Sequence, residues 1–211
     1  MKCKICGTGN AADLECAVRA GADAVGFIVG TTHLTDDAVS PAAARHMIQS
    51  LPPFVSGVVV THLTSRTELV RIVSETGCAV LQIQDMVEPA DMEYLHDRFA
   101  YLKIIKAVHV TGESAVATAE RLAVSADALI LDSRTRDRLG GTGITHDWGI
   151  SARIVEAVDV PVILAGGLKP ENLRKAISEV KPYAVDVHSG VKKNGVRDFE
   201  RTKQFADIAH G

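Results

Sequence analysis

Val160-Pro161-Val162-Ile163-Leu164-Ala165-Gly166-Gly167-Leu168 and, further on, Ala184-Val185-Asp186-Val187-His188-Ser189-Gly190-Val191 decide how the chain is read. Each stretch is a short apolar strand that ends in glycine where a helix should begin. Gly166-Gly167 closes the first and Ser189-Gly190 the second. Glycine lets the backbone come close to a ligand, and free N–H groups at a helix start attract an anion. One Gly-Gly pair reads equally well as a plain turn. Two such turns on successive strands read as a phosphate cradle, the role that loops after the last two strands of a βα barrel often have.

Working outward, the same rhythm fills the chain. Strands are expected at residues 2–8, 23–29, 55–60, 80–84, 102–110, 128–132, 161–165 and 184–188. Helices are expected at 10–20, 40–51, 65–76, 89–99, 114–124, 150–157, 171–180 and 198–209. Asn10 and Ser40 are candidate N-caps, Pro41 suits the first helical turn, and Gly21 and Gly77 follow helix ends. The near-continuous apolar run Asp23-Ala-Val-Gly-Phe-Ile-Val29 suits a parallel strand buried on both faces. Eight alternations call for parallel pairing with right-handed crossovers, and they point to a closed (β/α)8 TIM barrel formed by residues 1–211 as one domain. A doubly wound open sheet is the competing architecture. The longest loops, 30–39 and 133–148, both follow strands, on the side where barrel enzymes keep their chemistry.

Composition narrows the function. With 46% hydrophobic and 23% charged residues and a net charge of −3, the chain has no broad basic surface for nucleic acid. No apolar run approaches the roughly 20 residues needed to span a bilayer, and no signal peptide is expected. Cys3 and Cys6 make a lone C-x-x-C inside a strand, with no second pair downstream, so neither zinc nor a redox disulfide is expected. A cytoplasmic protein with reduced thiols fits best. The eight histidines form no metal motif; His33, His62 and His188 each lie near a strand end.

Alternation along a strand sorts the chemistry. Lys4 and Cys6 share the inward side of strand one, which leaves Cys6 at the mouth. Asp132 ends the apolar run Ala128-Leu-Ile-Leu on the inward side of strand six. A carboxyl group there is partly desolvated and holds a proton nearer neutrality, so a thiol facing it makes a base–acid pair. Taken singly, Cys6 also reads as a small buried hydrophobe, and Asp132 as a cap or loop acceptor. Lys4 and Asp186 are inward by parity, where charge must be paired, and Asp186 reads as part of a structural ion-pair or hydrogen-bond network. Lys106, ending strand five, reads as a substrate contact or a solvated lysine. Gly140-Gly141-Thr142-Gly143 follows strand six and reads as a further phosphate contact or a lid.

The ordered set Lys4-Ile-Cys6-Gly7, Gly21–Phe27, Leu51–Val55, Ile130–Ser133, Gly140–Gly143, Asp147-Trp148, Gly166–Leu168 and Asp186–Val191 resembles the phosphoribosylanthranilate isomerase family of tryptophan biosynthesis. The resemblance implies a small barrel that carries out an Amadori rearrangement of a phosphoribosylamine, with no cofactor and no metal. It makes Cys6 the general base and Asp132 the general acid. It puts the phosphate on Gly141, Thr142, Gly143, Gly166, Gly167, Ser189 and Gly190. Further substrate contacts are expected from Lys4, His33, Gln82, Lys106, Asp186 and His188. Three departures lie at the substrate end. No arginine precedes Ser40-Pro41, where the family pairs one with the anthranilate carboxylate; Asp36 and Asp37 stand there instead, so repulsion is expected. Strand four ends Gln82-Ile-Gln84-Asp85 rather than Gln-Leu-His-Gly, and His188 replaces a common serine. His33, Arg134 or Arg136 would supply the missing charge. The alternatives are a related isomerase acting on another phosphosugar amine, and a catalytically silent barrel that binds a phosphorylated metabolite. The family occurs as monomers and homodimers.

Overall fold

A computed structural model describes residues 1–32, 35–133 and 146–211. The chain runs β1 (Lys2–Ile5), α1 (Ala11–Arg19), β2 (Ala24–Ile28), α2 (Pro41–Gln49), β3 (Ser56–Thr61), α3 (Arg66–Thr76), β4 (Val80–Ile83) and α4 (Pro89–Arg98). It continues with β5 (Lys103–His109), α5 (Ser114–Ala123), β6 (Ala128–Asp132), α6 (Trp148–Ala157), β7 (Val162–Leu164), α7 (Pro170–Val180) and β8 (Ala184–Val187). After a 3-10 turn at Ser189–Val191 come β9 (Lys192–Lys193), β10 (Val196–Arg197) and α8 (Phe199–His210). Strands β1 to β8 pair in sequence order and close into a parallel barrel, so the open-sheet alternative falls. The seam joins β1 to β8 and sets Lys4 directly opposite Asp186.

Local chemistry explains the element ends. Asn10 accepts from the Asp13 N–H at 3.0 Å, Ser40 from Ala43, and Ser65 from Glu68, so each hydroxyl or amide satisfies a donor that its helix leaves open. Gly77 ends α3 in the left-handed conformation. Helix α6 starts at Trp148, two residues before the expected Ile150, because Asp147 caps it by accepting from the Gly149 N–H at 2.8 Å.

The hairpin β9–β10 is absent from the sequence expectation, which runs straight from strand eight to the last helix. Its signal is Asn194-Gly195. Both residues have positive φ, 53° and 81°, as a two-residue hairpin turn demands. Register places Lys192 opposite Arg197, on one face of the ribbon.

Two apolar layers hold the barrel. Val60, Ile105, Ile130 and Ile163 fill the interior. Ile5, Phe27, Leu81, Leu129 and Leu164 pack outward against the helices. Lys106 follows the outward parity of Ile104 and Val108. This corrects both expectations for it: the residue is fully buried and does not line the mouth. Its Nζ donates to Ala107 O at 2.7 Å and Ile83 O at 3.3 Å. The physical reason is stem length, since a lysine can carry its ammonium through an apolar layer to main-chain acceptors.

Burial pulls the Lys106 ammonium down to about 8, against the opposing pull of Asp85. The unfolded chain then holds this proton to about pH 10.4, whereas the native chain releases it near 8, so native stability rises with pH across that window. Replacing Lys106 with Met should remove a rise of about 3 kcal/mol between pH 8 and 10.4. Denaturant unfolding of both proteins at pH 7 and pH 10 checks this; parallel pH dependences would contradict it.

Candidate active site

The C-terminal ends of the strands open into a cavity of about 300 Å³. Cys6, just past β1, faces it and is 6% exposed. Behind the thiol lies the Lys4–Asp186 ion pair at 2.8 Å, with both side chains under one-tenth exposed. The expected pairing of these two is therefore present, and Asp186 also reaches the cavity. The Lys4 charge also acts on the Cys6 thiol. Burial lowers the Lys4 ammonium, but Asp186 and Cys6 outweigh it and hold the group above its ordinary value. Burial pushes the Cys6 thiol up, opposed by the Lys4 charge and by a hydrogen bond from the Gly7 N–H.

Asp132, the last residue of β6, lines the same cavity. Burial raises its carboxyl to about 6, and the nearby Asp186 charge adds to the rise. Two donors restrain it: the Ser133 N–H reaches Oδ1 at 2.8 Å, and Gln84 Nε2 reaches Oδ2 at 2.8 Å. The Gln84 amide is itself held by Gln82, whose Nε2 donates to Gln84 Oε1 at 2.9 Å. Gln82 was expected at the site, but as a substrate contact. Gln84 was not expected, although it stands two residues further along the same inward face.

Around the mouth, on the loops between the strands of Asp132 and Cys6, Gly166, Gly167, Ser189 and Gly190 line the cavity, as the sequence implies. Gly190 is required sterically: a Cβ there would lie 1.9 Å from Leu168 O. His188 also lines the cavity, and so does His62, which ranked only as a residue near a strand end. His33, Gly141, Thr142 and Gly143 lie outside the described residues, as do Arg134 and Arg136. Among the described residues no three His, Cys, Asp or Glu side chains converge on a metal position.

The acidic loop before α2 differs from expectation. Asp37 is tied to His188 Nε2 at 2.6 Å and to Lys192 Nζ at 2.6 Å. Burial alone would raise its carboxyl, but these two partners hold it at about 2. Its charge is thus matched inside the protein rather than turned on a ligand. Lys192 comes from the unexpected hairpin.

The arrangement brings a carboxyl and a thiol, a candidate acid and base, to one cavity with the glycine loops between their strands. Replacing Gln84 with Leu removes a donor from the Asp132 carboxylate and should raise its midpoint by about one unit from 6. A carboxyl-carbon NMR titration reads this, and an unmoved midpoint would contradict the restraint.

The chain resembles known proteins over nearly its whole length. The family profile described as N-(5'phosphoribosyl)anthranilate (PRA) isomerase matches residues 3–208. The chain is similar to "N-(5'-phosphoribosyl)anthranilate isomerase 2" of Methanosarcina mazei, with 40% identity over 99% of this chain and 94% of that protein. It is also 40% identical to the N-(5'-phosphoribosyl)anthranilate isomerase of Methanothrix thermoacetophila, over 96% of this chain and 94% of that one. Among solved structures, phosphoribosyl anthranilate isomerase from Thermotoga maritima superposes with a TM-score of 0.86 at 31% identity, covering 100% of this chain and 98% of that chain. A phosphoribosyl anthranilate isomerase in complex with reduced 1-(o-carboxyphenylamino)-1-deoxyribulose 5-phosphate superposes at 0.83 with 30% identity, covering 100% and 98%.

Proposed function

The chain belongs to the N-(5'-phosphoribosyl)anthranilate isomerase family, and from that premise we infer how its own residues carry out the reaction. It is an aldose–ketose isomerase of tryptophan biosynthesis that converts N-(5'-phosphoribosyl)anthranilate into 1-(o-carboxyphenylamino)-1-deoxyribulose 5-phosphate. The observation that carries the assignment of roles is that Cys6 and Asp132 face one cavity, with the Gly166-Gly167 and Ser189-Gly190 backbone on its wall.

Asp132 gives its proton to the ribose ring oxygen. The C1–O bond breaks, and the nitrogen lone pair forms the C1=N bond of a Schiff base. The Cys6 thiolate then takes the proton from C2. The C–H electron pair becomes the C1=C2 bond, and the C1=N pair returns to nitrogen. Protonation at C1 and loss of the O2 proton turn this enolamine into the ketone. Atoms and electrons balance within the substrate, so the sequence of steps needs no external oxidant or reductant.

The acidities fit a shared-proton site. With Asp132 at about 6 and Cys6 above the ordinary thiol value, the major form near neutrality is carboxylate plus thiol. The productive form has the same charge with one proton moved from sulfur to carboxyl. Lys4 and the Gly7 N–H favour it by stabilising the thiolate. Turnover should therefore rise as pH climbs through about 6 and fall as the thiol itself titrates.

The phosphate rests on Gly166, Gly167, Ser189 and Gly190. The product analogue bound in the related structure also carries an aryl carboxylate. The imidazoles of His62 and His188 line the cavity among the described residues, His62 beside Asp85 and His188 beside Asp37, and offer ring nitrogens to that carboxylate. No helix among the described residues is long and apolar enough to cross a membrane. A cytoplasmic enzyme acting as monomer or homodimer on a small phosphorylated sugar, with no nucleic-acid partner, is consistent with this and with four free cysteines.

Phosphoribosylanthranilate generated in the cuvette and followed by loss of anthranilate fluorescence tests the roles. Cys6→Ala and Asp132→Asn should each lower turnover by about 10²–10⁴-fold while inorganic phosphate still binds. Undiminished turnover in either variant would contradict its role.

A further inference from the structure

Arg197 plays no part in the chemistry above, yet it is buried against the Cys6–Gly7 turn. Its side chain is 1% exposed. Nη2 donates to Cys6 O at 2.7 Å and to Gly7 O at 2.9 Å, across 191 and 190 residues of chain. Among the described residues, Nε and Nη1 have no hydrogen-bond partner; the Asp13 carboxylate stands 3.9 Å from Nε. A buried guanidinium with two of its three nitrogens unsatisfied costs stability, so a functional reason is called for.

The peptide that Arg197 grips supplies that reason. The Cys6–Gly7 bond is trans, so its C=O and N–H point in opposite directions. The C=O meets Arg197, and the N–H is among the groups that favour the Cys6 thiolate against its burial. Gly7 holds this turn at φ +72°, and the His188 ring closes it from the other side: a Cβ on Gly7 would lie 2.2 Å from His188 Nε2. A cation on the carbonyl orients the peptide and polarises its N–H toward the sulfur.

We propose that Arg197 is a positioning residue for the general base, acting through the Cys6–Gly7 peptide to aim and strengthen the N–H that stabilises the Cys6 thiolate. This rests on the assignment of Cys6 as base. The other charged groups facing the thiol and its turn are Lys4 from β1, Asp186 and His188 from the β8 side, and Asp132 across the cavity; Asp13 of α1 faces Arg197 itself. Each is unchanged in an Arg197 variant. The hairpin explains the reach, because Arg197 and Lys192 share its inner face. One grips the β1 turn and the other the Asp37 loop.

The test is Arg197→Met, with Arg197→Lys beside it. Two curves are measured: Cys6 alkylation by iodoacetamide against pH, located by peptide mass, and kcat/KM against pH. In Arg197→Met the alkylation midpoint and the alkaline limb should both rise by about one unit, kcat at pH 7 should fall about tenfold, and KM should change less than twofold. Arg197→Lys should give an intermediate midpoint, and it decides the matter if the Met variant does not fold. A folded variant that loses turnover equally at every pH, with a wild-type alkylation midpoint, would overturn the proposal and leave a purely structural arginine. Alkylation does not depend on turnover. If Cys6→Ala stays active, the base assignment fails, while the alkylation midpoint still reports on the peptide.

Discussion

A buried ion pair across the barrel seam governs the electrostatics of the site. Lys4 and Asp186 face each other in the register that joins the first strand to the last, 2.8 Å apart and almost out of solvent. Such a pair seldom stabilises a fold more than apolar residues of the same size would, because both ions must be desolvated. Its value here lies in what each member touches. Burial raises both groups most; on top of it Lys4 favours the Cys6 thiolate more than Asp186 opposes it, and Asp186 raises the Asp132 carboxyl more than Lys4 lowers it. One pair thus favours the thiolate at Cys6 and the protonated carboxyl at Asp132.

The remaining architecture keeps those two groups where the pair can act. Gln82 fixes Gln84, and Gln84 fixes one oxygen of Asp132. Arg197 and His188 bracket the glycine turn behind Cys6. His188 also joins Lys192 in matching Asp37. Asp37, whose place in the sequence suggests repulsion of an anionic substrate, therefore has its charge matched inside the protein. The proposed function puts the substrate's two anionic ends on the glycine loops and beside the imidazoles.

Much of this is legible in the sequence because period-two alternation is a strong signal. It sorts Cys6 from Cys3 and Ile5, puts Asp132 at the mouth, and pairs Lys4 with Asp186. Helix caps follow from short polar side chains at fixed offsets. What escapes is side-chain reach and non-repeating backbone. Lys106 sits on the outward face and threads its ammonium to carbonyls, which no pattern of residue types reveals. The Asn194-Gly195 hairpin is a local signal, but a strand-to-helix rhythm reads past it, and with it go Lys192 and Arg197. Gln84 stands on the face that alternation already identifies, yet its partner Asp132 lies two strands away, and only folded geometry shows that they meet.

The most direct measurement of this account is the pH dependence of kcat/KM in a protein whose seam pair is removed whole, Lys4→Met with Asp186→Asn. Removing both charges leaves no buried ion uncompensated, so the barrel should still fold. The account predicts a large loss of turnover, with the acid limb moving below the wild-type value near 6 and the alkaline limb moving up. A folded double variant with wild-type limbs and wild-type turnover would contradict it, because the acid and base would then owe nothing to the pair between them.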